Sequence, residues 1–457
     1  MRMSISIVLL AAFSAGTVRA DALDAAIERM MLARQVPGLA VVVVKDGKIV
    51  RERGYGLANV EHRVPVTPDT VFQSASTGKT FTAALVLLLE KDGKLTLDDP
   101  ISRYLDNTPT AWKAITIRHL LTHTSGLGDP YTKIDLRKDY SDDELIALEA
   151  SLPLLSAPGE RFAYSNAGYH LLGFICNRVG GKYFGDQLEE RIFAPLGMTT
   201  AGVISESDIV PGRAAGYERI DGKLQNQRWV APSQNRTADG TIQLSARDLA
   251  RWSMALDGDA VLDAQAKAAS WTPARLNDGS SAPYGLGWYV SSQQGHRVVQ
   301  HGGAWQGFKA ALARYPDDRL TVVVLANSAA ARQGKIADMI AAHYVPALAD
   351  PRPPAIADRA PADTARARKV IGELAAGQIP AGLSESERGR FNGRWVTQIA
   401  TEFRDYGPLR NVDVLARSSE GNGKQARYRF LFENETVLVA LDQDRDGLIK
   451  QLGVSLE

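Results

Sequence analysis

Cysteine is almost missing from this chain: Cys176 stands alone among 457 residues, so no disulfide can close within it. It lies in the apolar run HLLGFICNRV and reads as a small core residue. With no disulfide to help, stability must come from a large core, which a 45% hydrophobic content over this length can supply. An excess of charge of one sign is missing too, with 53 basic against 52 acidic residues, and a near-neutral chain has no electrostatic footprint for nucleic acid. No metal set stands out. His119 and His123 are spaced i, i+4, but H-L-L-T-H lacks the glutamate of a zinc-binding H-E-x-x-H, so helix packing and capping explain the pair. Asp442 to Gly447 imitates a calcium loop, yet its twelfth position is Gly453 instead of Glu and no helices flank it, so it reads as a strand-to-strand turn. Gly78-Lys79-Thr80 looks like the end of a phosphate-binding loop, but the glycine needed at position 73 is Gln, which excludes nucleotide binding of that kind.

Long apolar runs are also scarce. Ile5 to Phe13 is too short to span a bilayer, and no later run reaches the length a membrane helix needs. With Arg2 before Ile5 and Val18-Arg19-Ala20 after Phe13, residues 1–20 read as a secretory signal cleaved after Ala20, which implies a secreted or periplasmic protein. Removing Arg2 and Arg19 takes 53 basic residues to 51 against 52 acidic ones. No cysteine follows the cleavage site to suggest a lipid anchor, and no stable membrane insertion is expected.

What is present begins with Ser76-Thr77-Gly78-Lys79, in FQSASTGKTFTAALVLLLE. The apolar run that follows has helical spacing, so Lys79 lies one turn from Ser76 on the same face. A serine at the start of a helix sits at the positive end of its dipole, which favours an anionic oxygen. A buried lysine, its pKa lowered by desolvation, can accept the serine proton. That pairing is nucleophile chemistry. Tyr164-Ser165-Asn166 stands just before a helix ending at Gly180-Gly181; the tyrosine can hold or relay a proton, and the Asn amide can hold a substrate carbonyl or a lysine. In VVQHGGAWQGF a β-branched strand runs into His301-Gly302-Gly303, where glycines allow close approach of a ligand or another backbone.

In this order and at these separations, the three motifs resemble those of the serine hydrolases of the β-lactamase/penicillin-binding family, whose pattern is S-x-x-K, Y-x-N, then K-T-G or H-x-G. TIRHLLTHTSGL at 116–127, LSARDLARW at 244–252 and YGLGW at 284–288 fit it too, and the resemblance covers roughly residues 24 to 345. It implies a mixed α/β fold of the β-lactamase/transpeptidase type: an antiparallel sheet flanked by helices, an all-helical half, and an active site between them. The residues agree with this. A helix from Leu23 to Arg34 precedes two β-rich runs around Asp46-Gly47, a hairpin signal, and strands return near 296–300, 307–315 and 319–326. The sheet is thus closed by distant segments, with 95–235 as the helical side. The hydrolase domain is expected over 21–348, a Pro- and Ala-rich linker over 349–368, and a small α+β domain of two helices followed by strands over 369–457.

The resemblance implies an acyl-enzyme on Ser76, with Lys79 and Tyr164 sharing the general-base and general-acid work. Asn166, His301, Gly302 and Gly303 would line the substrate site, and the backbone N–H groups of Ser76 and Ala304 would form the oxyanion hole. No cofactor and no metal are implied. The implied substrate is a small molecule or a peptide, cell-wall fragments among the candidates. Where β-lactamases carry lysine, His301 stands, and Gly302 stands where carboxypeptidases carry the threonine that donates to a terminal carboxylate. The first departure weighs against β-lactam hydrolysis and the second against a substrate ending in D-alanine, which leaves an ester or amide, a small ester or a D-amino-acid peptide, as the expected substrate. The alternatives are a β-lactamase proper and a penicillin-binding sensor or scaffold that is acylated without turnover.

Overall fold

The computed structural model describes residues 21–457 apart from 107, 221, 350–351, 390, 392, 420–422 and 457. The stretch read as a secretion signal lies outside the described residues. Asp46 and Gly47 take φ of 52° and 73°, the left-handed pair that a tight hairpin demands, and they join the strands Gly38–Lys45 and Lys48–Asn59. Gly38–Lys45 then pairs antiparallel with Leu320–Ala326, Leu39 opposite Ala326, which brings the two ends of this half together. The sheet continues through Phe308–Tyr315 and His296–Trp305 to Tyr289–Gln293, and Val64–Pro65 closes the other edge, seven antiparallel strands in all.

Alternation along the central strand explains why it is buried on both faces. Ala40, Val42 and Val44 join a core shared with the helical half, whereas Leu39, Val41 and Val43 pack with Leu23, Ile27 and Met31 of the first helix and with Ile336 and Ile340 of the helix Gln333–Tyr344. The helix Lys79–Lys91 is buried over nearly its whole length; its Phe81 meets Trp252 at 4.8 Å and Phe193 at 5.3 Å between ring centroids. It therefore stands between sheet and helical half, with Lys79 at its start and Ser76 in the turn just before it.

The last part of the chain has its own apolar cluster, including Leu374, Phe403, Tyr428 and Phe430. Its first helix starts at Pro361, inside the stretch expected to be linker, because Pro is well suited to a first turn and the alanines after it favour helix. The helices Glu385–Arg388 and Gly393–Tyr406 follow, then four antiparallel strands in sequential order. The first strand, Leu409–Ser418, lacks a continuous apolar run and so gave no strand signal. Asp444 to Leu448 is the turn between the last two strands, as expected. This part meets the rest through ion pairs, Arg34 with Glu435, Arg332 with Glu402, and Arg219 with Asp405.

Candidate active site

The chain turns sharply just before Ser76. Ala75 is held at φ 48°, a left-handed conformation that costs a non-glycine residue about 1–3 kcal/mol and persists only where the surroundings enforce it. Ala75–Gly78 forms one tight 3-10 turn that runs into the helix beginning at Lys79. Two other backbones press on that turn. A Cβ on Gly240 would lie 2.3 Å from the Ala75 carbonyl oxygen, and one on Gly303 would lie 2.3 Å from the Ser74 oxygen and 3.0 Å from the Ser76 nitrogen. Glycine at both positions lets three distant segments meet around one serine.

Lys79 is fully buried, and its Nζ donates to Ser76 Oγ at 3.1 Å, to Asn166 Oδ1 at 2.8 Å and to the main-chain oxygen of Asp239. Burial pulls its pKa down to about 8, an effect partly offset by the carboxylates of Asp239 and Asp129. A neutral amine held by two fixed acceptors, Asn166 Oδ1 and the Asp239 carbonyl, turns its lone pair to the remaining neighbour, Ser76. The faces of Tyr164 and Tyr169 flank the same nitrogen at 5.1 and 5.3 Å. Burial pushes the Tyr164 phenol up, against the hydrogen bond it shares with Ser76. A phenol kept neutral can donate a proton, and a neutral amine can accept one.

His301 departs from expectation. It is buried, at 2% exposure, with Nδ1 2.6 Å from the Gly302 oxygen and Nε2 2.8 Å from the Tyr284 hydroxyl, so both ring nitrogens are engaged inside the protein. Burial, with nearby Lys79, lowers its pKa to about 3, and it is neutral. In place of a substrate ligand it is one ring in a block with Tyr164, Tyr284 and Tyr289, whose centroids lie 5.5–6.4 Å from its own. The physical reason is that three tyrosine rings pack around it and the Tyr284 hydroxyl, from the segment just before the neighbouring strand, occupies its Nε2. His123 belongs to the same layer: its ring stacks 4.1 Å from that of Tyr164, and its Nδ1 accepts from the Ser165 N–H.

Beyond Gln300 the strand His296–Trp305 has no partner on its outer side among the described residues, because its neighbour Tyr289–Gln293 pairs only as far as Gln300. That free edge, Gly302 to Trp305, faces the serine. Ala304 and Ser76 line one cavity of about 210 Å³, together with Tyr131, Asn166, Asp239 and Trp305. No lysine or arginine lines it among the described residues. Arg297, on the same strand, donates to the Trp271 carbonyl. Gly302 faces elsewhere; a Cβ there would meet only Ala310 O at 3.7 Å and Gln333 Nε2 at 3.9 Å.

Sequence reasoning missed Tyr131 and Asp239. Tyr131 comes from the short 3-10 turn Pro130–Thr132 and Asp239 from an irregular turn, and Asp239 meets Lys79 through its main chain, which leaves no side-chain signature. The Tyr131 hydroxyl donates to Asp239 Oδ2 at 3.0 Å and the Thr237 hydroxyl to Oδ1 at 2.7 Å, which fixes the residue whose carbonyl holds the lysine.

A family model described as Beta-lactamase matches residues 23–345. Penicillin-binding protein 4* of Bacillus subtilis (strain 168) is 31% identical over 309 residues, 63% of this chain and 67% of that protein. The D-aminopeptidase of Gluconobacter oxydans (strain 621H) is 30% identical over 329 residues, 70% of this chain but only 61% of that protein. Among solved structures, a D-amino acid amidase from Ochrobactrum anthropi SV3 superimposes with a TM-score of 0.59 at 27% identity, covering 67% of this chain and 92% of that one. The octameric penicillin-binding protein homologue from Pyrococcus abyssi, at 23% identity, shares the fold over 95% of this chain and 98% of its own, with a TM-score of 0.65.

Proposed function

This chain belongs to the beta-lactamase family, and from that premise we propose that it is a serine hydrolase forming an acyl-enzyme on Ser76 and cleaving a small amide or peptide, with simple esters as reactive stand-ins. One observation carries the reading: Ser76 Oγ lies 3.1 Å from a buried lysine whose other two partners are fixed acceptors. The serine proton passes to Lys79 Nζ as Oγ attacks the carbonyl carbon. The resulting oxyanion sits between the backbone N–H groups of Ser76 and Ala304, and Tyr164 hands a proton to the leaving nitrogen or oxygen. Water then releases the acyl group by the reverse proton path.

Relatives named D-aminopeptidase and D-amino acid amidase support an amide or peptide as substrate, D-amino-acid derivatives foremost. The cavity supports the same choice. With His301 neutral and no cation along its walls among the described residues, a leaving group ending in a carboxylate finds no charge to bind. That weighs against a D-Ala carboxypeptidase and against a β-lactamase. The name of the Bacillus subtilis relative favours one second reading, a site that penicillin acylates without turnover.

The test is a panel on the purified mature protein: a D-amino acid amide, a chromogenic short ester, an acyl-D-Ala-D-Ala peptide, a chromogenic cephalosporin and a fluorescent penicillin. The proposal expects the amide and ester to turn over fastest. Preference for the D-Ala-D-Ala peptide or the cephalosporin would refute it, and stable labelling by penicillin without any turnover would establish the second reading. We further propose secretion or periplasmic export through residues 1–20; a mature N-terminus other than Asp21 would contradict this.

A further inference from the structure

Behind Lys79 lies a row of buried titratable groups that the mechanism above does not use. His170 stands one turn after Asn166 on the same helix face, so the residue that holds Lys79 and the residue that faces Asp239 are set by one helix. His170 Nδ1 donates to Glu149 Oε1 at 2.7 Å, and its Nε2 lies 3.4 Å from Asp239 Oδ1, an ionic contact longer and less well aligned than a hydrogen bond. Glu149 is 1% exposed, His170 0% and Asp239 7%. The second oxygen of Glu149 has no hydrogen-bond partner among the described residues. We propose that the row Glu149–His170–Asp239 is a positioning device that holds the Asp239 carbonyl on Lys79 and sets the pH at which Lys79 takes the Ser76 proton. The proposal rests on the serine-hydrolase reading and assigns that site an internal control on its base.

The charges support it. Burial works against a charged His170, yet Asp239 and Glu149 on its two sides push its pKa up to about 10. Burial would also neutralise Asp239, but His170, Lys79 and Thr237 keep it ionised. Burial raises the Glu149 carboxyl, which His170 only partly counters. The charged and titratable neighbours of this row come from several elements: Glu149 faces His170, Asp239, Asp129 and Tyr131, and Asp129 also accepts from the Asn166 amide at 3.2 Å. Lys79 faces Asp239, Asp129, His123, His301, Tyr164 and Tyr169; His170 faces Glu149, Asp239 and the edge of the Tyr131 ring; Asp239 faces His170, Lys79, Tyr131 and Thr237. An anion at Asp239 favours the ammonium form of Lys79, and a cation at His170 tempers that anion. Removing one or the other must therefore move the lysine in opposite directions.

The experiment measures the rate at which a fluorophosphonate labels Ser76 as a function of pH. In that reaction the serine oxygen bonds to phosphorus, fluoride leaves, and the serine proton passes to Lys79. Asp239→Asn should move the acid limb down by about one pH unit, and His170→Gln should move it up by about the same amount. On the limb each shift is about a tenfold change in rate at fixed pH. Tyr131→Phe, which removes a hydrogen bond and no charge, should lower the rate and leave the limb where it is. Circular dichroism confirms that each variant is folded, and if Asp239→Asn is not, the upward shift in His170→Gln still decides. Shifts of the same sign, or slower labelling at every pH with no shift, would overturn the proposal while leaving the hydrolase reading standing. Failure of the wild type to label at Ser76 would overturn both.

Discussion

Gly302 and Gly303 are neighbours on one strand, yet the structure predicts opposite fates for them when each becomes alanine. At 303 the added Cβ would sit 2.3 Å from the Ser74 carbonyl oxygen, 2.9 Å from Ala75 Cβ and 3.0 Å from the Ser76 nitrogen. A relaxed carbon–oxygen contact is about 3.3 Å, so the strand and the catalytic turn must part by about 1 Å. None of the three atoms belongs to a flexible side chain that could swing away. The separation moves Ala304 relative to Ser76, and a misplacement of that size costs about 10² in rate, rising toward 10³ if an oxyanion donor is lost outright. Overpacking should cost about 1–3 kcal/mol of stability besides. At 302 the new Cβ meets nothing nearer than 3.7 Å, so Gly302→Ala should keep activity within about threefold and stability within ~0.5 kcal/mol. Turnover of a chromogenic ester and thermal unfolding, measured on both variants, check the pair. Equal losses in the two, or full activity in Gly303→Ala, would refute the argument that the strand is seated against the nucleophile by the absence of one carbon.

Tyr164→Phe should lower kcat by about 10²–10⁴ with little change in KM, since the hydroxyl is assigned to proton transfer; an effect confined to KM would make it a binding residue. Lys79 acts as a base only when neutral, so kcat/KM should rise with pH up to about 8 and level above it, with no second step from His301, which is already neutral; activity that falls as pH rises through this range would contradict the assignment. A protein cut to residues 21–348 should fold and turn over a small ester near the full-length rate, because the cavity beside Ser76 is lined only by residues up to Trp305 and the C-terminal part has its own apolar cluster. A folded but inactive product would mean that the C-terminal part completes the site.

Legibility of this chain divides along a physical line. Ser76, Lys79 and Asn166 were readable because their chemistry lies in side chains at fixed local spacing, and the hairpin at Asp46-Gly47 because only certain residues accept its backbone angles. The central sheet was readable from β-branched runs at both ends of the first half. His301 was recognised as part of the site, but its orientation depends on a hydrogen bond to Tyr284, and no local pattern reports which side-chain atoms meet across neighbouring segments. Asp239 was invisible for a different reason. It presents a main-chain oxygen to Lys79, and any residue has one; only the folded loop shows that its carboxylate is tied down by Tyr131 and Thr237. His170 lies in an apolar helix where one polar residue carries no signal until its partner is placed, and Glu149 is one of four acidic residues on a short helix, with nothing local to mark it as the buried one.

The central claim is that Ser76 is the nucleophile, and intact-protein and peptide mass spectrometry of a quenched reaction tests it most directly. With a slow ester or amide substrate, wild type should carry one acyl group on the peptide containing Ser76, appearing and decaying at rates compatible with turnover. Ser76→Ala should carry none and should lose about 10⁶ in turnover. An acyl group on another residue, or a Ser76→Ala protein that still turns over substrate at more than about a hundredth of the wild-type rate, would contradict the account.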